Sequence, residues 1–308
     1  MTCKTAGLFY LMVTIFLFST FEVTSKYLSP FMLPTQITFI RFFIGGIFLL
    51  PFAVSRMIRK NISLSIADIL KMVFLGIVNI VFSMGLIQLG LVYTNASICA
   101  VLFSINPLFV IIFAKLLIGE KITAAKITGL GFGISGLAVL FYDSRMNGSS
   151  DFYGLVLILL AAICFAFYTV AGKKIINHRI DSLIVTAFSF LAGSLIMIPF
   201  QAVLKIPVIP DMSKIIPQVI YMSVFVTGIA YYTYFEGLSQ LEAGAGSMLY
   251  FAKPALASIF AVILLHERIS LNLFAGILII GSGIFISQNH LFLKKSDSDP
   301  GKLKGSEK

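Results

Sequence analysis

The sequence predicts an all-α membrane protein, with ten transmembrane helices arranged as two inverted five-helix repeats. Three observations predict it. The 308-residue chain is 58% hydrophobic and 12% charged, with a mean hydropathy of +1.00. Soluble domains carry roughly a quarter charged residues, so these charges are too few to cover a water-facing surface, and lipid is the solvent for most of the chain. Ten runs also reach the roughly 20 apolar residues that a helix needs to cross the hydrocarbon layer. Finally, the two halves of the chain resemble each other at a nearly constant offset.

The ten runs are 7–28, 33–54, 67–89, 94–117, 124–142, 153–175, 182–204, 215–236, 244–265 and 272–292. The first is long, carries Glu22 and Lys26 near its end and lacks a small-x-small cleavage site. It therefore reads as a first span and not as a cleaved signal peptide. Connections are short and hold turn formers: Ser29–Pro30, Asn147–Gly148, and Pro207 to Pro210. The polar stretch 294–308 reads as a disordered tail. Of the 23 lysines and arginines, sixteen fall on the N-terminal side of the membrane and five on the other, while Arg41 and Lys253 lie within spans. That bias places both termini in the cytoplasm, with the chain in a plasma or inner cell membrane.

An offset of 147 pairs Gly7 with Gly154, Phe18 with Phe165, Val23 with Val170 and Lys26 with Lys173. It also pairs Gly90–Leu91 with Gly237–Leu238, Pro107 with Pro254, Phe113 with Phe260, Glu120 with Glu267, Gly129 with Gly276 and Gly136 with Gly283. One residue more pairs Phe42 with Phe190, Gly45 with Gly193, and Pro51–Phe52 with Pro199–Phe200. The chain divides into a first repeat, 1–146, and a second, 147–293. Five spans is an odd number, so the second copy enters from the opposite side. Inverted repeats of this kind are a recurring plan of secondary transporters, with the solute site near the midplane.

Two copies of one pattern stand out: P-x5-F in a span, then an acid before a short loop, then G-x6-G in the next span. They are Pro107, Phe113, Gly119–Glu120, Gly129, Gly136, and Pro254, Phe260, His266–Glu267, Gly276, Gly283. With the arginine-phenylalanine Arg41–Phe42, they resemble the EamA family of the drug/metabolite transporter superfamily, over the chain up to about Gln288. The resemblance implies ten helices around a central cavity and carriage of small metabolites or drugs.

Other classes fit less well. The net charge of +10 is spread between apolar runs and not gathered in a basic, aromatic-interleaved patch, so no nucleic acid is expected. Cys3, Cys99 and Cys164 offer neither a disulfide framework nor metal spacing. The scattered His178, His266 and His290 support neither a triad nor a zinc site. Gly131, Gly133 and Gly136 fit a dinucleotide fingerprint, yet they lie inside an apolar run where small residues serve helix packing. Asn147–Gly–Ser149 fits a glycosylation sequon of little weight. No cofactor, metal or enzymatic activity is expected. An integral-membrane lipid-phosphate enzyme would need clustered acids or histidines near one face. A non-transporting sensor or partner-binding protein would share the same site and stays an alternative.

Lys253 is the oddity of the ninth run, sitting about 2 Å from the midplane at 1.5 Å rise per residue. A charge there costs ~2.5–3.5 kcal/mol. Glu22 and Arg41 have similar depth, so the three could form one buried cluster of formal charge +1. Either Lys253 and Arg41 bind a carboxylate or phosphate while Glu22 takes an amine or a proton, or the cluster is a structural ion pair. Pro107 and Pro254, each preceded by a polar residue (Asn106 and Lys253), predict broken helices at matching midspan positions. Asn79 supplies a mid-membrane amide, while Tyr231, Tyr232 and Tyr234 supply ring faces for a solute or an interfacial belt. Glu120 and Glu267 read as caps, loop anchors or gate hinges. The expected partners are a small solute, the bilayer and a coupling proton or cation, with a monomer or a homodimer both compatible.

Overall fold

The computed structural model describes residues 3–94, 96–146, 152–176 and 180–265, and also 275–276, 278–279 and 282–283. Most of the tenth apolar run, the tail, His266–Glu267, the sequon, His178 and His290 lie outside the described residues. Among the described residues the chain is entirely helical. Six helical stretches are long and apolar enough to cross a membrane: Thr5–Leu28, Pro34–Arg59, Ile66–Gly90, Cys99–Ile118, Phe152–Ile175 and Ser182–Val203. Helices suit this solvent because each backbone amide and carbonyl is satisfied within its own segment.

Several spans are interrupted, and side chains explain where. The first divides into α1 (Cys3–Phe18) and α2 (Phe21–Leu28). At the break, the Ser19 and Thr20 hydroxyls donate back to the carbonyls of Ile15 and Leu17 (2.6 and 2.8 Å), competing with the helical ladder. The unbroken α3 (Pro34–Arg59) follows. The third span is α4 (Ile66–Gly76), a π-helical stretch π1 (Ile77–Met84) and α5 (Gly85–Gly90). The fourth is α6 (Ala96–Phe103) and α7 (Asn106–Ile118), with Pro107 in the first turn of α7. The long α8 (Ala124–Met146), α9 (Phe152–Ile175) and α10 (Ser182–Val203) come next.

The eighth predicted run forms α11 (Ile216–Ile220), a second π-helical stretch π2 (Tyr221–Ile229) and α12 (Ala230–Gln240). Inside π2 the Thr227 hydroxyl donates to the Met222 carbonyl five residues back, at 2.9 Å, matching a widened turn. The ninth is α13 (Ala243–Ser247), a 3₁₀ turn (Met248–Phe251) and α14 (Ala252–Leu265), with Pro254 in the first turn of α14.

Packing crosses between the halves. α1 lies on α12, α3 on α10 and π2, and α9 on π1 and α5. Close approach depends on glycine. A Cβ on Gly237 would sit 3.0 Å from the Gly7 carbonyl oxygen, and one on Gly90 would sit 3.1 Å from the Gly154 carbonyl oxygen. The 147-residue shift turns the first contact into the second. The tightest case joins α4 to α10, where a Cβ on Gly76 would meet the Ser189 carbonyl oxygen at 2.3 Å and one on Gly193 would meet the Gly76 carbonyl oxygen at 2.5 Å. Side chains pointing away from these seams, such as Phe16, Leu70, Leu116 and Leu264, are exposed and apolar, as a lipid-facing surface requires.

Gly193→Ala forces backbone apart from backbone, and overpacking of this kind costs about 1–3 kcal/mol. Its melting temperature in detergent is expected to fall by several degrees. Gly131→Ala, where a Cβ meets nothing within 4 Å, leaves it unchanged. Equal effects of the two substitutions would refute the packing account.

Candidate functional site

Three elements deliver charge to one buried point. Glu22 lies in the first turn of α2, where the positive end of the helix favours a carboxylate. Lys253 lies in the first turn of α14, with its carbonyl accepting from the Ser19 hydroxyl at 3.3 Å. Lys253 Nζ donates to Glu22 Oε1 at 2.5 Å, and the two side chains are 2% and 1% exposed. Arg41, in mid α3, is equally buried, and its guanidinium is sandwiched between the rings of Phe21 and Phe42, 4.5 Å from each centroid. The Lys253 ammonium also faces Phe103 (5.2 Å), Phe21 (5.7 Å) and Tyr250 (5.9 Å). Such cation–ring contacts stabilise a desolvated cation by ~2 kcal/mol or more.

Pairing is incomplete. Glu22 Oε2 and the Arg41 Nε and Nη2 atoms are buried without a hydrogen-bond partner. Lys253 takes the one carboxylate and Arg41 lies near it without an ion pair, so the cluster keeps a formal +1 and both donors and an acceptor to offer. A gap of ≈ 20 Å³ touches Arg41, Lys253, Tyr231, Tyr250, Phe18 and Phe103. That is space for little more than a water molecule, whereas solute pockets run to about 300–1,000 Å³. At this point, among the described residues, the centre leaves no more room than that. The rings of Phe18, Phe165, Tyr231, Tyr234 and Tyr250 fill it, with centroids 4.9–6.2 Å apart.

The structure thus brings Glu22, Arg41, Lys253 and Tyr231 together. Tyr231 turns its ring to the gap and donates its hydroxyl to Met84 Sδ at 3.1 Å. Asn79, in π1, is fully buried beside that hydroxyl but without hydrogen-bonding geometry to it. Tyr234 belongs to the ring cluster and pairs with the Thr169 hydroxyl (3.0 Å), away from the charges. Asn106 is buried and unpartnered at the position equivalent to Lys253, but it does not line the gap. Tyr232 stands apart from the centre, half-buried beside Arg56 and Glu236, because one residue turns it about 100° from Tyr231 on the same helix. Pro107 and Pro254 each open a helix after an interruption. Sequence reasoning missed Tyr250 and Phe21. The signal was available: Tyr250 precedes Lys253 by three residues and Phe21 adjoins Glu22.

One family model, the EamA-like transporter family, matches residues 5–142 and again residues 152–288. The chain belongs to that family. It is 32% identical over 292 residues to an "Uncharacterized transporter" of Clostridium kluyveri, covering 92% of this chain and 94% of that one. It is 25% identical to the "Uncharacterized transporter YoaV" of Bacillus subtilis, over 82% and 87% of the two chains. A solved crystal structure shares the fold at a TM-score of 0.76 with 19% identity, covering 96% of this chain and 99% of the other. Family membership and the apolar helices make this a multi-pass membrane protein.

In this EamA chain a second charged cluster closes one end of the bundle. Gly119, at φ +70°, ends α7 in the left-handed conformation that glycine tolerates. Glu120 follows. Its carboxylate takes Lys173 (3.0 Å), Lys126 (3.4 Å) and the backbone amides of Ala243 and Gly244 (2.7 and 3.1 Å). Lys126 also meets Glu242 at 2.8 Å. At the same end Arg56 and Lys60 meet Asp181 (3.2 and 3.5 Å). The acid expected to serve as a cap, loop anchor or gate hinge thus ties a first-half residue to second-half ones.

Two predictions follow from these clusters. Burial alone would raise the Glu120 carboxyl, but the Lys173 ammonium and the two amides outweigh it and hold the carboxyl below its usual 4.5. A depressed carboxyl contributes stability that is complete above 4.5 and is lost as pH falls through the folded value. Glu120→Gln should lower the melting temperature at pH 7, at a cost of about 1–3 kcal/mol, and the deficit should shrink steadily below pH 4.5; a pH-independent deficit would contradict it. At the centre, Lys253→Met leaves the Glu22 carboxylate without its ammonium, and breaking a buried pair costs about 3–5 kcal/mol. Adding Glu22→Gln should recover most of that loss in a double-mutant cycle.

Proposed function

We propose that this EamA-family chain is a secondary carrier, not an enzyme, and that it moves a small organic solute bearing a carboxylate or phosphate by alternating access. One observation carries the reading: beside a small gap lie two buried cations and one carboxylate, only Lys253 is paired with it, and donor and acceptor atoms are left over. A solute anion takes the Lys253 and Arg41 donors. Glu22, released from its ammonium, holds a proton or the solute's amine, which couples solute movement to a cation. The ring-filled centre corresponds to an occluded state, and the halves must part before anything larger than water enters.

Ten spans in two inverted five-helix repeats are part of this reading. Its supports are the double family match, the glycine contacts that interchange under the 147-residue shift, and the two π-helical stretches in spans three and eight. The lysine and arginine distribution supports cytoplasmic termini in a cell membrane.

A thermal-shift screen of purified protein against amino acids, organic acids, nucleosides and cationic drugs identifies the solute. Its flux is then measured in proteoliposomes. An anionic or zwitterionic solute should raise the melting temperature and be carried, and an imposed pH gradient should drive its uptake. The double variant Glu22→Gln/Lys253→Gln, which leaves no unpaired carboxylate, should stay folded and lose flux by at least about tenfold. Near-normal flux in that variant would overturn the site assignment.

A further inference from the structure

The charged end of the centre leaves a neighbouring group of buried polar atoms unexplained. Asn79 is fully buried, with Nδ2 and Oδ1 both unpartnered. On α9, which packs against π1, the Tyr168 hydroxyl is also buried and unpartnered, alongside Ser189 but without hydrogen-bonding geometry. The rings of Tyr168 and Tyr231 are 6.3 Å apart. The Tyr231 hydroxyl, beside Asn79, rests on the Met84 sulfur at 3.1 Å, a weak acceptor for a phenol. Two of these groups sit where the chain departs from α geometry or packs on such a stretch: Asn79 within π1, and Tyr168 on α9, which packs against π1. Widened turns of this kind are frequent at functional sites.

Amides that hold this bundle together behave differently. The Gln88 carbonyl accepts from the Ser25 hydroxyl at 2.7 Å, and the Gln36 amide donates to the Pro207 carbonyl at 2.7 Å. Each spends its polarity on another element, as packing amides do. Asn79 has the Tyr231 hydroxyl beside it, out of good hydrogen-bonding geometry, and in a chain solvated by lipid an apolar residue of its volume would be the stabler choice.

We infer that Asn79, Tyr168 and Tyr231 form a neutral subsite that takes an uncharged donor–acceptor group of the solute, of the primary-amide or urea class, when the halves part. Asn79 offers two N–H donors and a carbonyl acceptor, which an amide edge answers with one acceptor and one donor. The phenol hydroxyls are free to serve whichever lone pair or N–H remains. Tyr231 joins the two ends, with its ring on the charged gap and its hydroxyl on the neutral group. The solute is accordingly bifunctional, anionic at one end and amide-like at the other. This rests on the carrier reading of the charged end.

The test uses monoamide acids and their hydrocarbon isosteres at two spacer lengths: succinamate with 4-methylpentanoate, and glutaramate with 5-methylhexanoate. Apparent affinities are read from thermal shifts of the full chain, wild type and with Asn79→Leu or Tyr168→Phe. The expected result is that the amide-to-hydrocarbon affinity ratio falls by at least about tenfold in both variants, while their ligand-free melting temperatures are unchanged or higher. An unchanged ratio overturns the subsite and leaves the charged end standing. A ligand-free melting temperature that falls in both variants with the ratio unchanged makes these groups structural. No shift with any of the four acids removes the charged-end reading and the subsite together.

Discussion

The structure depends on how a charge is kept in a medium that cannot solvate it. An ammonium at the centre of a bilayer is tolerated only where protein supplies what water would. Here Lys253 receives one carboxylate oxygen and three ring faces, and Arg41 is clamped between two phenylalanines. The arrangement suffices for burial but falls short of full satisfaction, since Glu22 Oε2 and two guanidinium nitrogens have no partner. Every helix that meets the centre is positioned by that requirement. The break between α1 and α2 ties to the start of α14 through Ser19, and α3 brings Arg41 across from both.

Closure of the centre and closure of the end use different chemistry. Rings fill the middle by shape, without directional bonds apart from the Tyr231 and Tyr234 hydroxyls. The end that carries Glu120 is tied by ion pairs and backbone amides, which are directional and break discretely. The opposite end is held by amide–carbonyl bonds, Gln36 to Pro207 and Gln201 to Thr35. Each joins a first-half residue to a second-half one, as the Glu120 latch does.

Much of this was legible in the sequence because lipid imposes few solutions. Apolar run length located the described helices, and depth counting gave Glu22, Arg41 and Lys253 similar depths before any contact was known. Depth says nothing about azimuth, and there the reading was weakest. Tyr231, Tyr232 and Tyr234 looked equivalent, yet rotation around α12 sends one to the gap, one to the bundle end and one into the ring cluster. The π-helical stretches were invisible for a similar reason. They change no composition, only the number of residues per turn, and so they move Asn79 without leaving a compositional trace. Beside the charges the room is small because the aromatic residues read as candidate solute contacts also pack on one another.

The ion pair at the centre also joins residues 231 positions apart, with a consequence for synthesis. A ribosome delivers Glu22 to the bilayer with α2, while nearly the whole second half is still unmade. Arg41 is the companion charge that emerges soon after, and Lys253 arrives only with the ninth apolar run. The nascent first half thus carries an acid whose ammonium is translated late, and the charge balance of the centre is settled among the last steps of assembly.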